Sequence, residues 1–279
     1  MTETIVKKFN SPLEFLEWAT HSESPWTGRL SSRETDSDAR DFTGTANYDE
    51  AYQLAKFGWK EGLDRLAEQV QVAAKLSPQA PNRRKRFDVA GHSPHTPRAA
   101  AGEPFAMATR GKDFKQKPII KIRTNYGYLG NVDTSRVMRW GAAICSYIQT
   151  LEKAGFSTQL DAFNEVSSTG PSISFQFPLK KAGQPLSLSN VVFWWGHPSA
   201  QRRISFSGRE RLDVERWYSG GYGRTAVITP PEPGVLFLNI DDARDTMEEC
   251  LKVISQKHRK LLEENPDPAL SILKDGPPI

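Results

Sequence analysis

Apolar residues recur at helical spacing through the first quarter of the chain and change to strand spacing near residue 118. In "NSPLEFLEWAT", Ser11 stands at an N-cap position, Pro12 at the first helical position and Glu14 at the third. Proline has no amide proton to leave unpaired there, and the serine hydroxyl can accept from the first turn. A short helix is predicted, with Leu13, Leu16 and Trp18 toward the core. Residues 21–45 are polar and aperiodic and predict a loop. Asn47 and Glu50 have capping-box spacing ahead of Ala51, Leu54, Ala55 and Phe57, and Gly58 is a left-handed stop. A second helix is predicted from Glu61 to Leu76, with Leu63, Leu66, Val70 and Ala73 or Ala74 as its apolar stripe. Residues 77–104, dense in Pro, Gly and Ala and holding "NRRKR", predict a linker or long surface loop.

From residue 105 the pattern is that of an α/β protein. "KPIIKIR" predicts a strand with Pro118 at its start. A helix is predicted over Thr134–Ala154, buried through Val137, Gly141, Ile144, Ile148 and Leu151 and stopped by Gly155. "FSTQLDAF" and "SISFQFPL" alternate with period two, and "LSNVVFWWGHP" is continuously apolar, as in a strand buried on both faces. "TAVITPPEPGVLFLNI" predicts a weak strand and a strong one. Asp241 is the predicted cap of a helix carrying Met247, Cys250, Leu251, Ile254 and Leu261. Strand, helix and strand in succession predict a βαβ unit. The fold class that follows is α/β, with a mixed or mostly parallel sheet flanked by helices and an N-terminal helical layer. The expected organisation is a helical region over 1–76, a linker over 77–104, an α/β domain over 105–263 and a tail over 264–279.

Composition narrows the classes of function. Of 279 residues, 38% are hydrophobic, including 14 Phe, 7 Trp and 7 Tyr, which is enough apolar surface to exclude a wholly disordered chain. No apolar run approaches the roughly 20 residues that cross a bilayer, and "MTETIVKKFN" has no signal-peptide core, so a cytoplasmic protein with no membrane partner is expected. Cys145 and Cys250 fall at apolar helical positions and read as reduced core thiols. The net charge of +4 is mild, but its placement is uneven: positive charge gathers in 82–86, 110–123 and 202–224, and acidic residues in 31–50.

Residues 119–163 resemble the first βαβ unit of a von Willebrand factor A domain. That family binds a divalent metal through Asp-x-Ser-x-Ser after the first strand. The positions here are Arg123, Asn125 and Gly127, so the resemblance implies the scaffold while the arginine opposes a hard cation, and no metal or other cofactor is expected. "DFTGTANYDEAYQLAKFGWKEG", "DVAGHSPHTPRAAAGEPFAM", "RWGAAICSYIQTLEKAGF" and "HPSAQRRISF" resemble a family of uncharacterised proteins of tailed phages and related mobile elements over roughly residues 12–260. This implies an origin but no activity.

Among candidate sites, His92 and His95 sit near Asp88 and Glu103, but Pro94 and Pro97 prevent helical presentation, and a solvated loop is expected. His197, at the end of the apolar run, is expected to be structural; an acid–base role would require Ser199, Ser205 or Asp161 within reach. The glycines at 220, 221 and 223 match no phosphate-loop pattern. What remains is basic and aromatic residues interleaved in 110–128 and 202–224. Arg123, Arg202, Arg203, Arg209, Arg211 and Arg224 are expected to contact phosphates, and Tyr126, Tyr128, Trp217 and Tyr222 to stack on bases. The expected function is non-enzymatic binding of nucleic acid, preferentially single-stranded and with little sequence specificity. The alternative is a protein–protein interaction module on a metal-free von Willebrand-A-like scaffold, docking to a phage or host protein.

Overall fold

The computed structural model describes residues 4–21, 23, 31–76, 86–90, 93–109, 118–128, 132–167, 172–212, 224–225 and 232–264. The chain opens with β1 (Thr4–Lys8) and α1 (Pro12–His21), followed by α2 (Ser37–Thr43), α3 (Tyr48–Phe57) and α4 (Lys60–Leu76). A small antiparallel sheet comes next, made of β2 (Arg86–Asp88), β3 (Ser93–Pro94) and β4 (Met107–Thr109), with α5 (Thr96–Ala100) between β3 and β4. The central part holds β5 (Ile119–Asn125), α6 (Thr134–Ala154), β6 (Ser157–Ser167), β7 (Ser172–Lys180) and α7 (Leu188–Gly196). A π-helix over Ala200–Ser205 runs directly into α8 (Phe206–Glu210), and the chain ends with β8 (Arg224–Thr225), β9 (Val235–Leu238) and α9 (Met247–Glu264).

The main sheet has the order β1-β7-β6-β5-β9, with β8 paired to the end of β6. β5 is parallel to both β6 and β9, β1 is parallel to β7, and β6 and β7 are antiparallel. This is the α/β architecture expected: a mixed, mostly parallel sheet with helices and an N-terminal helical layer. β5, α6 and β6 form the predicted βαβ unit. α6 has the predicted bounds because both ends are specified locally: the Asp133 carboxylate accepts from the Ser135 amide, and Gly155 adopts φ +104°.

Several expectations are corrected. "LSNVVFWWG" is the helix α7, not a strand. Val191 to Trp195 are all buried, since α7 is hemmed in by α6, α4 and the π-helix, and a helix apolar all round carries no periodicity to distinguish it from a buried strand. The N-terminal region is not purely helical, because β1 forms the sheet edge beside β7. The linker contains α5 and two strands of the small sheet, β2 and β3. Residues 21–45, expected as loop, hold a short 3-10 helix over Ser31–Arg33 and α2, which Asp36 caps through the Ala39 amide at 2.8 Å. Leu13 faces solvent, and Phe15, Leu16 and Ala19 are the buried positions of α1. The last helix starts at Met247 because Asn239, not Asp241, caps a separate 3-10 turn over Ile240–Asp242. The predicted strand "TAVITPP" lies, beyond Thr225, outside the described residues, as does the tail beyond Glu264.

One apolar core runs from Phe15 to Ile254. Its densest part is an aromatic cluster in which Phe15, Phe175, Phe177, Trp194 and Tyr126 lie at ring separations of 4.7 to 5.8 Å. Strand alternation decides what is left outside. Ile120, Ile122, Leu160, Ala162, Phe175 and Phe177 are buried on one face, and α1, α6 and α9 pack on that side. Lys121, Arg123, Gln159, Asp161, Gln176 and Pro178 occupy the alternate positions, half-buried or exposed, and make the other face polar.

Candidate nucleic-acid interface

The residues expected to form a basic, aromatic surface do come together, but most of them meet inside the protein. Tyr126 is 1% exposed: its hydroxyl shares a 3.1 Å hydrogen bond with the Ser205 hydroxyl, and its ring packs on Phe177 and Trp194. Tyr128 is also buried, with its amide donating to Gln201 Oε1 at 2.8 Å; burial pushes its phenol up to about 12. Neither ring offers a face to a base.

The arginines are engaged in the same interior. Arg203 is fully buried, donating from Nε to Thr45 Oγ1 (2.7 Å), from Nη1 to the carbonyls of Ser32 (3.0 Å) and Glu34 (2.9 Å), and from Nη2 to the Thr45 carbonyl (2.9 Å). Arg202 is buried beside it, bonded to the Phe42 carbonyl at 2.6 Å and lying 4.2 Å over the Phe42 ring. Arg209, also buried, donates to Asn164 Oδ1, and half-buried Arg211 donates to the carbonyls of Ser207 and Thr20. Glu210 accepts from the Ser32 amide and hydroxyl. The expectation that Arg202, Arg203, Arg209 and Arg211 contact phosphates is thus corrected. Arg202, Arg203 and Arg211 satisfy carbonyls of the irregular 3-10–α2 segment and of α1, which have no ladder partner and would otherwise be buried unpaired, and Arg209 ties to the Asn164 side chain of β6. Trp217 and Tyr222 lie outside the described residues; Arg224 is described only through its backbone in β8.

Arg123 is the exception. It points to the polar face of the sheet, directly across from Asp161 of β6 and Phe237 of β9. On this face Lys8, Lys121, Arg123, Gln159, Asp161 and Gln176 line an open cleft of about 240 Å³, with Pro178, Val235 and Glu232 at its wall. The Arg123 guanidinium lies 4.8 Å from the Phe163 ring centre, and its Nη2 is shut off from solvent with no hydrogen-bond partner among the described residues. Asp161 Oδ2 accepts from Gln159 Nε2 at 2.7 Å. Burial raises the Asp161 carboxyl above its usual range, opposed by the Gln159 hydrogen bond and by Arg123 and Lys121. Three cations, two carboxylates and two amides thus share one polar cleft. Of these, the sequence reading found only Arg123. The signal that locates the others was available: alternation in "KPIIKIR", "FSTQLDAF" and "SISFQFPL" puts Lys121, Arg123, Gln159, Asp161 and Gln176 on the non-core face.

The other candidates are structural. His197 is buried edge-on to Trp59 at 4.8 Å and stacked on Phe193 at 5.4 Å, and burial lowers its pKa to about 4. Its Nδ1 accepts from the Ser199 amide, while Ser199 Oγ donates to the Thr43 carbonyl and Asp161 stands on the opposite side of the sheet. His95 precedes α5 and lies edge-on to Phe87; His92 and the glycines at 220, 221 and 223 are outside the described residues. Asn125, in the loop compared with a metal motif, accepts from the Gly127 amide and donates to Asn239. Among the described residues no three His, Cys, Asp or Glu side chains cluster as a metal would need, and no helix is long and apolar enough to cross a membrane.

Fold and cleft together define an α/β protein whose mixed sheet buries one face under helices and carries a polar cleft on the other. The chain belongs to the family described as Domain of unknown function (DUF7192), whose model matches residues 2–262. No curated protein and no solved structure matches it.

Proposed function

We propose that this protein, an accessory factor of a phage or mobile element, binds single-stranded nucleic acid on the polar face of its main sheet and performs no covalent chemistry. The observation that carries the reading is the cleft in which Lys8, Lys121 and Arg123 converge beside aromatic and apolar walls. Single strands are held by cations that follow the phosphates and by rings that stack on bases. Phe9, half-buried and lining the cleft, supplies such a ring. The site therefore lies on the strands, and the interior arginines around the π-helix act as its framework.

If the three cations each neutralise one phosphate, the logarithm of affinity falls with that of salt at a slope of about −2, so raising salt from about 50 to 200 mM weakens binding roughly twentyfold. Fluorescence anisotropy with a short labelled oligonucleotide measures this directly. Absence of binding at the lower salt, or a Lys121→Glu, Arg123→Glu double variant that binds as well as the parent, refutes the proposal.

A further inference from the structure

We infer that Arg136, Arg139 and Arg244 form an oxyanion site that takes a phosphate monoester, at the end of the sheet where α6 and α9 begin. None of the three lines the cleft on the polar sheet face, so the site stands independently of what binds there.

Arg136 and Arg139 are three residues apart in α6 and share one face of that helix. Both reach the segment between β9 and α9. Arg136 Nη2 donates to the Ala243 carbonyl at 2.7 Å, and Arg139 Nη1 to the Arg244 carbonyl at 3.3 Å. Arg244 Nη1 turns back onto the same Ala243 carbonyl at 3.0 Å. Two guanidinium groups on one oxygen and a third on the next carbonyl gather three positive charges around a single dipeptide. Burial raises the pKa of the Cys250 thiol beneath them, and all three arginines oppose that rise.

Like charges at this spacing repel one another, and no carboxylate joins them. Among the described residues, no ion pair within 4.0 Å includes Arg136, Arg139 or Arg244. The neighbouring acids are turned to other donors: Asp133 accepts from the Ser135 amide and hydroxyl, Asp241 from Asn239, Asp242 from Lys257 and Glu249 from Thr246. Asp133 acts on Arg139 only at longer range, and Asp245 and Glu248 are exposed. The turn carbonyls leave most of the donors unused. Arg136 Nε is shut off from solvent, but the Nε–Nη2 edge of half-buried Arg139 is not, and Arg244 is exposed. Among the described residues those two edges have no hydrogen-bond partner. Such an edge meets two oxygens of one oxyanion.

A ligand that answers three guanidinium groups must accept several hydrogen bonds and carry more than one negative charge. A carboxylate or a phosphate diester carries one. A phosphate monoester carries about −1.5 to −2 near neutral pH on three acceptor oxygens, and its tetrahedral shape admits planar forks from more than one side.

The test is isothermal titration calorimetry of inorganic phosphate into the full chain at neutral pH, with acetate at matched ionic strength as the control. Phosphate is expected to bind saturably at one site, and acetate is expected not to compete. Arg139→Gln and Arg244→Gln are each expected to weaken phosphate by about tenfold or more with an unchanged far-UV circular dichroism spectrum. Arg139→Lys, which keeps the charge and loses the fork, should fall between parent and Arg139→Gln. A second arm compares oligothymidylate bearing a terminal phosphate with the same strand ending in a hydroxyl. Tighter binding of the phosphorylated strand, lost in Arg244→Gln, identifies a strand end as the source of the monoester; equal binding of the two, with phosphate still bound, identifies a free phosphate ester. Absence of saturable phosphate binding, or binding unchanged in both glutamine variants, overturns the site. Strand binding without phosphate binding overturns this site alone, and phosphate binding without strand binding overturns only the single-strand reading.

Discussion

Arg203→Ala is the perturbation that most directly separates an interior framework from a surface that binds phosphate. Arg203 is fully buried, and its guanidinium makes four hydrogen bonds, three of them to backbone carbonyls of Ser32, Glu34 and Thr45. Truncation leaves those carbonyls without their donor. A buried unsatisfied polar group costs about 1–3 kcal/mol, and water entering the vacated volume recovers part of this. Three such carbonyls, partly rehydrated, set the loss expected here at about 3–5 kcal/mol. For a protein of this size that lowers Tm by roughly 6–20 °C. Urea titration followed by tryptophan fluorescence gives the free energy, and a thermal scan gives the shift. Arg203→Lys should fall between the parent and Arg203→Ala, since one ammonium cannot span carbonyls from two segments in the way a planar fork does. A loss below about 1 kcal/mol, the range of exposed charged side chains, would falsify the framework role and return Arg203 to the surface.

Three further outcomes are expected. His197 and His258 are both buried with pKa lowered to about 4 from 6.5, and His258 Nδ1 is hydrogen-bonded to the Tyr147 hydroxyl at 2.6 Å. Between those values the unfolded chain binds protons that the folded one does not, so stability falls as pH drops through this window, by roughly 2 kcal/mol per histidine at pH 5. Urea midpoints at pH 7 and pH 5 measure the loss, and His197→Phe should reduce it. Gly44 combines φ +74° with a position where an added Cβ meets Pro198 Cγ at 2.8 Å, so Gly44→Ala should cost about 1–3 kcal/mol by the same assay. Asp161 has a raised pKa caused first by burial, so ionising it costs the folded state stability as pH rises through that range. Asp161→Asn should therefore raise Tm at neutral pH, and a fall in Tm contradicts this account.

The sequence by itself determined the elements whose signals are local. α6 is bounded by Asp133 and Gly155, α3 is started by Asn47, and the strands on either side of α6 alternate cleanly, so the βαβ unit and the α/β class follow from the chain alone. The same alternation already separates Arg123 and Asp161 from the core face. Tertiary structure decided the rest. Whether "LSNVVFWWG" is strand or helix depends on α4 and α6 closing around it, since an all-apolar run has no period to read. Whether "QRRISFSGRERL" is a cationic surface or a set of buried ties depends on carbonyls as distant in sequence as Thr20, Ser32 and Thr45. Arginine and tyrosine have the same composition in both settings. Only the arrival of unpaired backbone groups from remote segments makes burying a guanidinium cheaper than leaving those groups unsatisfied.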